Sequence, residues 1–85
     1  MPSVRVLLFA RAREAAGRRD DVVDAATLGE VLAVARDRYG AEFGAVLDGS
    51  RVWINGDEPV SGLATALSKG DEVAILPPVS GGGGE

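Results

Sequence analysis

A single capped amphipathic helix, flanked on both sides by short strand-like runs, constrains this chain more than any other feature. Thr27-Leu28-Gly29-Glu30 has the spacing of a capping box, with Thr27 as N-cap and Glu30 three residues on. Leu28, Val31, Leu32, Ala35 and Tyr39 then recur at helical spacing and form one apolar stripe. Glu30, Asp37 and Arg38 fall off the stripe, and Gly40 stands where a terminating glycine belongs. The spacing predicts a helix over 27–39, and a helix with one apolar face needs a sheet to cover.

The runs around it supply that sheet. Ser3 to Ala10 is rich in β-branched and aliphatic residues and predicts a first strand. Period two puts Val4, Val6, Leu8 and Ala10 on one face, the better core face, and Arg5, Leu7 and Phe9 on the other. Arg11 to Ala16 has helix-friendly residues but is too short to stand alone, and Gly17 stops it. A short strand over 20–24, centred on Val22-Val23, is expected to return beside the first in a hairpin-like pairing. Arg51-Val52-Trp53-Ile54 predicts a third strand, ended by the turn residues Asn55-Gly56-Asp57. Glu58-Pro59-Val60 adds at most a short edge segment, because Pro59 has no N–H for a ladder bond. Leu63 to Leu67 is read as one helical turn. Glu72 to Leu76 is the last strand, with Val73 and Ile75 on one face and Glu72, Ala74 and Leu76 on the other, and Pro77-Pro78 ends it.

The resulting order, β-β-α-β-(β)-β, is α+β and matches a β-grasp, ubiquitin-like arrangement. A ferredoxin-like layout would need a second full helix, for which 61–68 is too short. Residues 1–79 are expected to form the domain and 80–85 a flexible Gly-rich tail. Extended, 77–85 would reach about 30 Å.

Composition removes most chemistry from the domain itself. Eighty-five residues build one core, not two. There is no cysteine, so disulfides, thiolate metal sites and thioester carriers are excluded. Histidine is also absent, which removes the usual general base and the commonest metal ligand. Lys69 is the sole lysine and sits in a turn. The adjacent carboxylates Asp20-Asp21 and Asp57-Glu58 read as solvated turn charges rather than an acid–base pair. No active site, metal or bound cofactor is expected. The net charge is −4; residues 1–40 carry seven basic and six acidic side chains, and 41–85 two basic and seven acidic. An acidic C-terminal half argues against nucleic acid and anionic membrane and suits a partner with a basic docking surface. Arg11, Arg13, Arg18 and Arg19 form the one basic patch, read as a solvated loop face ahead of a phosphate site. No apolar run approaches the ~20 residues of a membrane span, and no signal-peptide pattern opens the chain, so a cytoplasmic protein is expected.

The tail is where chemistry remains. Ser80-Gly81-Gly82-Gly83-Gly84-Glu85 fits neither a dinucleotide fingerprint nor a P-loop, since no helix follows to receive a phosphate. A terminal glycine carboxyl, having no Cβ, threads a narrow tunnel closed to other residues. Adenylation by ATP on a partner would turn that carboxylate into an electrophile for a sulfur donor or an amine. The plain reading beside it is an inert flexible linker.

The stretch Gly70-Asp71-Glu72-Val73-Ala74-Ile75-Leu76-Pro77-Pro78-Val79-Ser80-Gly81-Gly82 resembles the C-terminal signature of the small subunit of molybdopterin synthase. Val6 to Gly17 is similar to that family's first strand and loop, and the resemblance covers residues 3–82. It implies a sulfur carrier that is not itself catalytic. An E1-like adenylyltransferase would use ATP on the terminal glycine, and sulfur transfer would give a thiocarboxylate. The tail would then enter the large subunit of molybdopterin synthase and donate sulfur to precursor Z, in molybdenum cofactor biosynthesis. Matching positions make Gly81-Gly82 the terminal pair, with Gly82 carrying sulfur. Phe9 and Leu76 match apolar partner contacts, and Arg13 a nearby arginine. Strand parity independently places Phe9 and Leu76 off the helix-covered face, on neighbouring parallel strands, and Trp53 shares parity with Arg51 and extends the patch.

Gly83, Gly84 and Glu85 run past the family's terminal glycine. The Glu85 side chain should clash in a tunnel shaped for glycine and repel the α-phosphate of ATP. A processing peptidase would trim to Gly82, or to Gly84 by removing Glu85 alone. Otherwise the chain is a related carrier with a processed precursor, or the extra residues are foreign to the native chain. Two further classes stay open: carriers for another acceptor (cysteine, thiamine, tRNA or siderophore thiolation), and a ubiquitin-like modifier that forms isopeptide bonds. An interaction module with an inert tail is a third.

Overall fold

The computed structural model describes residues 1–78; the expected tail, 80–85, lies outside the described residues. Strand β1 (Ser3–Leu8) runs parallel to β4 (Glu72–Leu76) at the centre of the sheet, with Val6 opposite Val73 and Leu8 opposite Ile75. Strand β2 (Asp20–Asp24) pairs antiparallel outside β1, and β3 (Arg51–Ile54) antiparallel outside β4, which gives the order β2-β1-β4-β3. The period-two reading of the faces holds: Val4, Val6, Leu8, Val23, Val73 and Ile75 are all buried.

Helix α2 (Leu28–Tyr39) lays Leu28, Val31 and Ala35 on that face. Each fully buried aliphatic side chain contributes about 1.5–3 kcal/mol. The Glu30 N–H donates to Thr27 Oγ1 at 3.3 Å, as the spacing predicts. Glu30 Oε1 in turn accepts from the Ala26 N–H at 2.9 Å, one residue ahead of the cap. The sheet order and the covering helix make this the β-grasp, ubiquitin-like fold.

Three parts of the sequence reading are corrected. First, β1 stops at Leu8, so Ala10 is an exposed helix residue and not the last member of the core face. The chain leaves the sheet because the Phe9 carbonyl accepts from the N–H groups of Ala12 (3.0 Å) and Arg13 (3.3 Å), opening helix α1 (Ala10–Ala16). Ala10 takes a φ of 50° to make this corner. Gly17, at φ 77°, closes the helix through its N–H to the Arg13 carbonyl at 2.9 Å. The β1–β2 connection is therefore a helix rather than a hairpin loop, and the fully buried Ala12 is what holds it down.

Second, helix α3 (Ala41–Asp48) has no counterpart in the sequence reading. Gly40 does end α2, but at φ 98° and ψ −177° it turns the chain sharply enough for a new helix to start at the next residue. Phe43 and Leu47, one turn apart, are buried, and α3 packs against α1 and α2. Arg36 binds across the bend, to Asp48 at 2.6 Å.

Third, 58–60 forms no strand; the β3 edge makes only an isolated bridge between Ile54 and Asp57. The expected helical turn at 63–67 is a shorter 3-10 turn at Gly62–Ala64. Residues 65–67 are instead stitched to the start of α2, with the Leu28 N–H on the Thr65 carbonyl (3.0 Å) and the Leu67 N–H on the Ala26 carbonyl (2.8 Å).

Candidate functional site

With the helices on one side, the other face of the sheet carries no covering element among the described residues. Register puts Leu7, Ala74 and Trp53 in one row across β1, β4 and β3. On the next rung toward the end of β4, Leu76 stands opposite Arg51, on the same face. All four apolar residues are half-buried. Charges frame them: Arg5 sits 3.5 Å from both Asp20 and Glu72, and Arg51 lies 3.9 Å from Glu58. These exposed pairs add little stability and weaken with salt. What they do is border an apolar strip with charge of both signs, the layout of a docking face with a polar rim.

Of the sequence-derived interface residues, register places Trp53 and Leu76 on this face, while Phe9 and Arg13 lie at its edge, where β1 gives way to α1. Phe9 is 44% exposed at the tip of β1, and its N–H donates to the Ile75 carbonyl at 3.3 Å, beside Leu76. It caps α1 rather than extending β1, so strand parity does not aim its side chain. Arg13 is exposed one helical turn later, on the same side of α1 as Phe9. Trp53 shares the Leu76 face, one rung away. The chain leaves toward its glycines from the end of β4, through Pro77 and Pro78. Gly81, Gly82, Gly83, Gly84 and Glu85 lie outside the described residues. Leu7 and Ala74 complete the strip; the parity that groups Leu7 with Phe9, and Ala74 with Leu76, already points to them.

The strongest electrostatic perturbation lies elsewhere. Asp21 is not a solvated turn charge. Its side chain is 14% exposed on the helix side of β2, where it meets the Tyr39 hydroxyl (2.5 Å), Arg38 (2.8 Å) and Arg18 (3.1 Å). Burial pushes its carboxyl up, but hydrogen bonds from Tyr39, Arg38 and the Val22 N–H, with the Arg18 charge, outweigh that and hold it well below the usual carboxylate range. Burial and the same bond push the Tyr39 phenol up to about 12. Perturbed groups often mark active sites, but here the perturbing bonds tie helix α2 to strand β2. Asp71 is also lowered, by the Ser68 N–H and the Asn55 amide, which lock the turn into β4. Among the described residues no group of carboxylates is placed to hold a metal ion, and no helix is long and apolar enough to cross a membrane.

Residues 6–82 match the ThiS family. The chain belongs to that family of ubiquitin-like sulfur carriers and protein modifiers. It is 38% identical to small archaeal modifier protein 3 of Haloferax volcanii, over 87% of this chain and 92% of that one. The solution structure of small archaeal modifier protein 1 from Methanosarcina acetivorans superposes with a TM-score of 0.85 at 34% identity, covering 96% of this chain and 98% of that one. Subunit 1 or 2 of the molybdopterin-converting factor of Helicobacter pylori, solved as a complex of the two subunits, matches with a TM-score of 0.70 at 26% identity, covering 94% and 99%. The fold is thus shared with a small archaeal modifier protein and with a subunit of a molybdopterin-converting factor.

Proposed function

We propose that this chain is a sulfur carrier activated at its C-terminal glycine, serving as the small subunit of molybdopterin synthase. The observation that carries the reading is the end of the family match at Gly82, the second glycine of the tail and the position assigned to sulfur. In this reading residues 83–85 are removed first. The α-carboxylate of Gly82 then attacks the α-phosphate of ATP on an E1-like partner, releasing pyrophosphate. A sulfur donor displaces AMP from the acyl-adenylate and leaves a thiocarboxylate. Leu76, Trp53, Phe9 and Arg13 dock the domain on the large subunit so that the tail enters its active site. The subunit complex of the Helicobacter pylori factor supports such a partner.

A second reading is favoured by a different observation: the relatives at 38% and 39% identity are named modifier proteins. There an amine of another protein attacks the same acyl-adenylate, forms an isopeptide bond and releases AMP. Intact mass of the protein isolated from its native host tests the shared chemistry. Loss of three residues is expected in both readings, and replacement of one oxygen by sulfur in the first. An untrimmed and unmodified mass during active cofactor synthesis would overturn it. Molybdopterin formation with a large subunit, against lysine-linked conjugates in lysate, separates the two readings.

A further inference from the structure

A cleft of about 260 Å³ opens beside the root of the tail and includes none of the open-face residues. It is lined by Arg11 of α1, by Ala45, Val46 and Gly49 at the end of α3, and by Pro77 and Pro78. Arg11 is its one charged wall. Water filling this space, at about 30 Å³ per molecule, meets few polar groups there, so an apolar side chain displaces it favourably.

The charges around the cleft are unusual for this molecule. Arg5, Arg36, Arg38 and Arg51 are each paired with a carboxylate, and so is Arg18. Arg11, Arg13 and Arg19 make no ion pair among the described residues, and Glu14 is the one carboxylate in residues 11–19. On a chain of net charge −4, the one charged side chain lining the apolar recess, Arg11, is thus a guanidinium without an ion pair among the described residues. Planar guanidinium forks take carboxylates in bidentate pairs. Pro77 and Pro78, which also line the cleft, have fixed φ, so a contact made there meets a stiff segment at the end of β4.

We infer that this cleft receives an aliphatic side chain from a carboxylate-bearing segment of the activating enzyme, which grips the root of the tail on its helix side. The inference rests on the proposed activation of the terminal glycine. It adds a second contact, separate from the open sheet face, and gives the partner's chemistry: an apolar anchor beside a carboxylate that meets Arg11.

The test is ATP–pyrophosphate exchange by the adenylating enzyme of the same host, with carrier concentration varied. The full chain and the form ending at Gly82 are run in parallel. Ala45→Trp fills the cleft from an exposed helix position. Gly49→Leu fills it from a site where an added Cβ would meet nothing closer than 3.9 Å. Arg11→Glu reverses the rim charge. Each folded variant is expected to raise KM for the carrier about tenfold, one good contact's worth, with kcat retained, and Arg11→Glu to flatten the rise of KM with salt. Unchanged KM for both filling variants overturns the inference, whatever Arg11→Glu does. A wild-type dimer that Ala45→Trp dissolves would place a second copy in the cleft and overturn it equally. Absence of exchange with either wild-type form is the failure of the activation reading itself, and the inference falls with it.

Discussion

The Tyr39 hydroxyl donates a 2.5 Å hydrogen bond to Oδ2 of Asp21, tying the last turn of α2 to edge strand β2. The tyrosine ring also meets Phe43 edge-on, with centroids 5.0 Å apart, so the same residue braces α3. Tyr39→Phe keeps the ring and deletes the bond. A hydrogen bond to a charged group is worth about 1.5–3 kcal/mol. With Arg38 and Arg18 still holding the carboxylate, the lower end is expected. A urea midpoint unchanged from wild type would show that the bond contributes nothing net.

The same pair makes the stability of the domain depend on pH at both extremes. Asp21 titrates below its unfolded value of about 3.9, so its contribution is fully present above that pH and lost as pH falls toward the folded value. The stability gap between wild type and Asp21→Asn is therefore widest near neutrality and closes in acid. Tyr39, raised to about 12 from an unfolded value of about 10, contributes fully below the unfolded value, and the contribution is lost as pH rises through the folded one. It is the sole tyrosine, so phenolate absorbance reads it directly. Titration of the native protein near the unfolded value would refute the assignment.

On the open face and at its edge, Trp53→Ala and Phe9→Ala are expected to weaken partner binding by about 1–2 kcal/mol each, as anchors of a docking strip do. Arg13→Glu should act mainly on association rate and become milder in high salt. All three should melt within a few degrees of wild type. Ile75→Ala, from the buried side of β4, should instead cost about 2–5 kcal/mol of folding stability. Titration calorimetry beside thermal melts separates the two behaviours; unfolding of the Phe9 or Trp53 variant would mark those residues as core.

The untrimmed chain should resist activation. In the proposed activation, Glu85 would add a second carboxylate beside the terminal α-carboxyl that has to meet ATP. Exchange activity is expected only from forms ending in glycine, with the Gly82 form faster than the Gly84 form. Thiocarboxylate on a chain still bearing Glu85 would refute this.

The elements legible in the sequence are those with a repeating signal. Alternation sorts Val4, Val6 and Leu8 from Arg5 and Leu7, and Thr27 with Glu30 marks where α2 begins. Helix α3 escapes because Gly40 reads as a stop signal and no side chain caps the new start. The spacing of Phe43, Val46 and Leu47 is its remaining trace. Asp21 misleads through its neighbour: paired with Asp20 it looks solvated, yet it lies two residues from Val23 and so shares the core side of β2. The cleft is drawn from three segments distant in sequence, and only tertiary packing assembles it. Leu7 and Ala74 are legible as neighbours because they lie in the β1–β4 register, whereas parity fails for Phe9, which leaves β1 to cap α1.

The parallel pairing of β1 with β4 also determines how the domain bears mechanical load. The proposed activation loads the chain at the C-terminal end of β4, and a pull applied there along the strand axis meets both of its neighbours. Because β4 is held on both flanks, by β1 and by β3, such a pull shears two ladders of hydrogen bonds at once instead of peeling them singly. The strand that delivers the tail is thereby the one best anchored against traction.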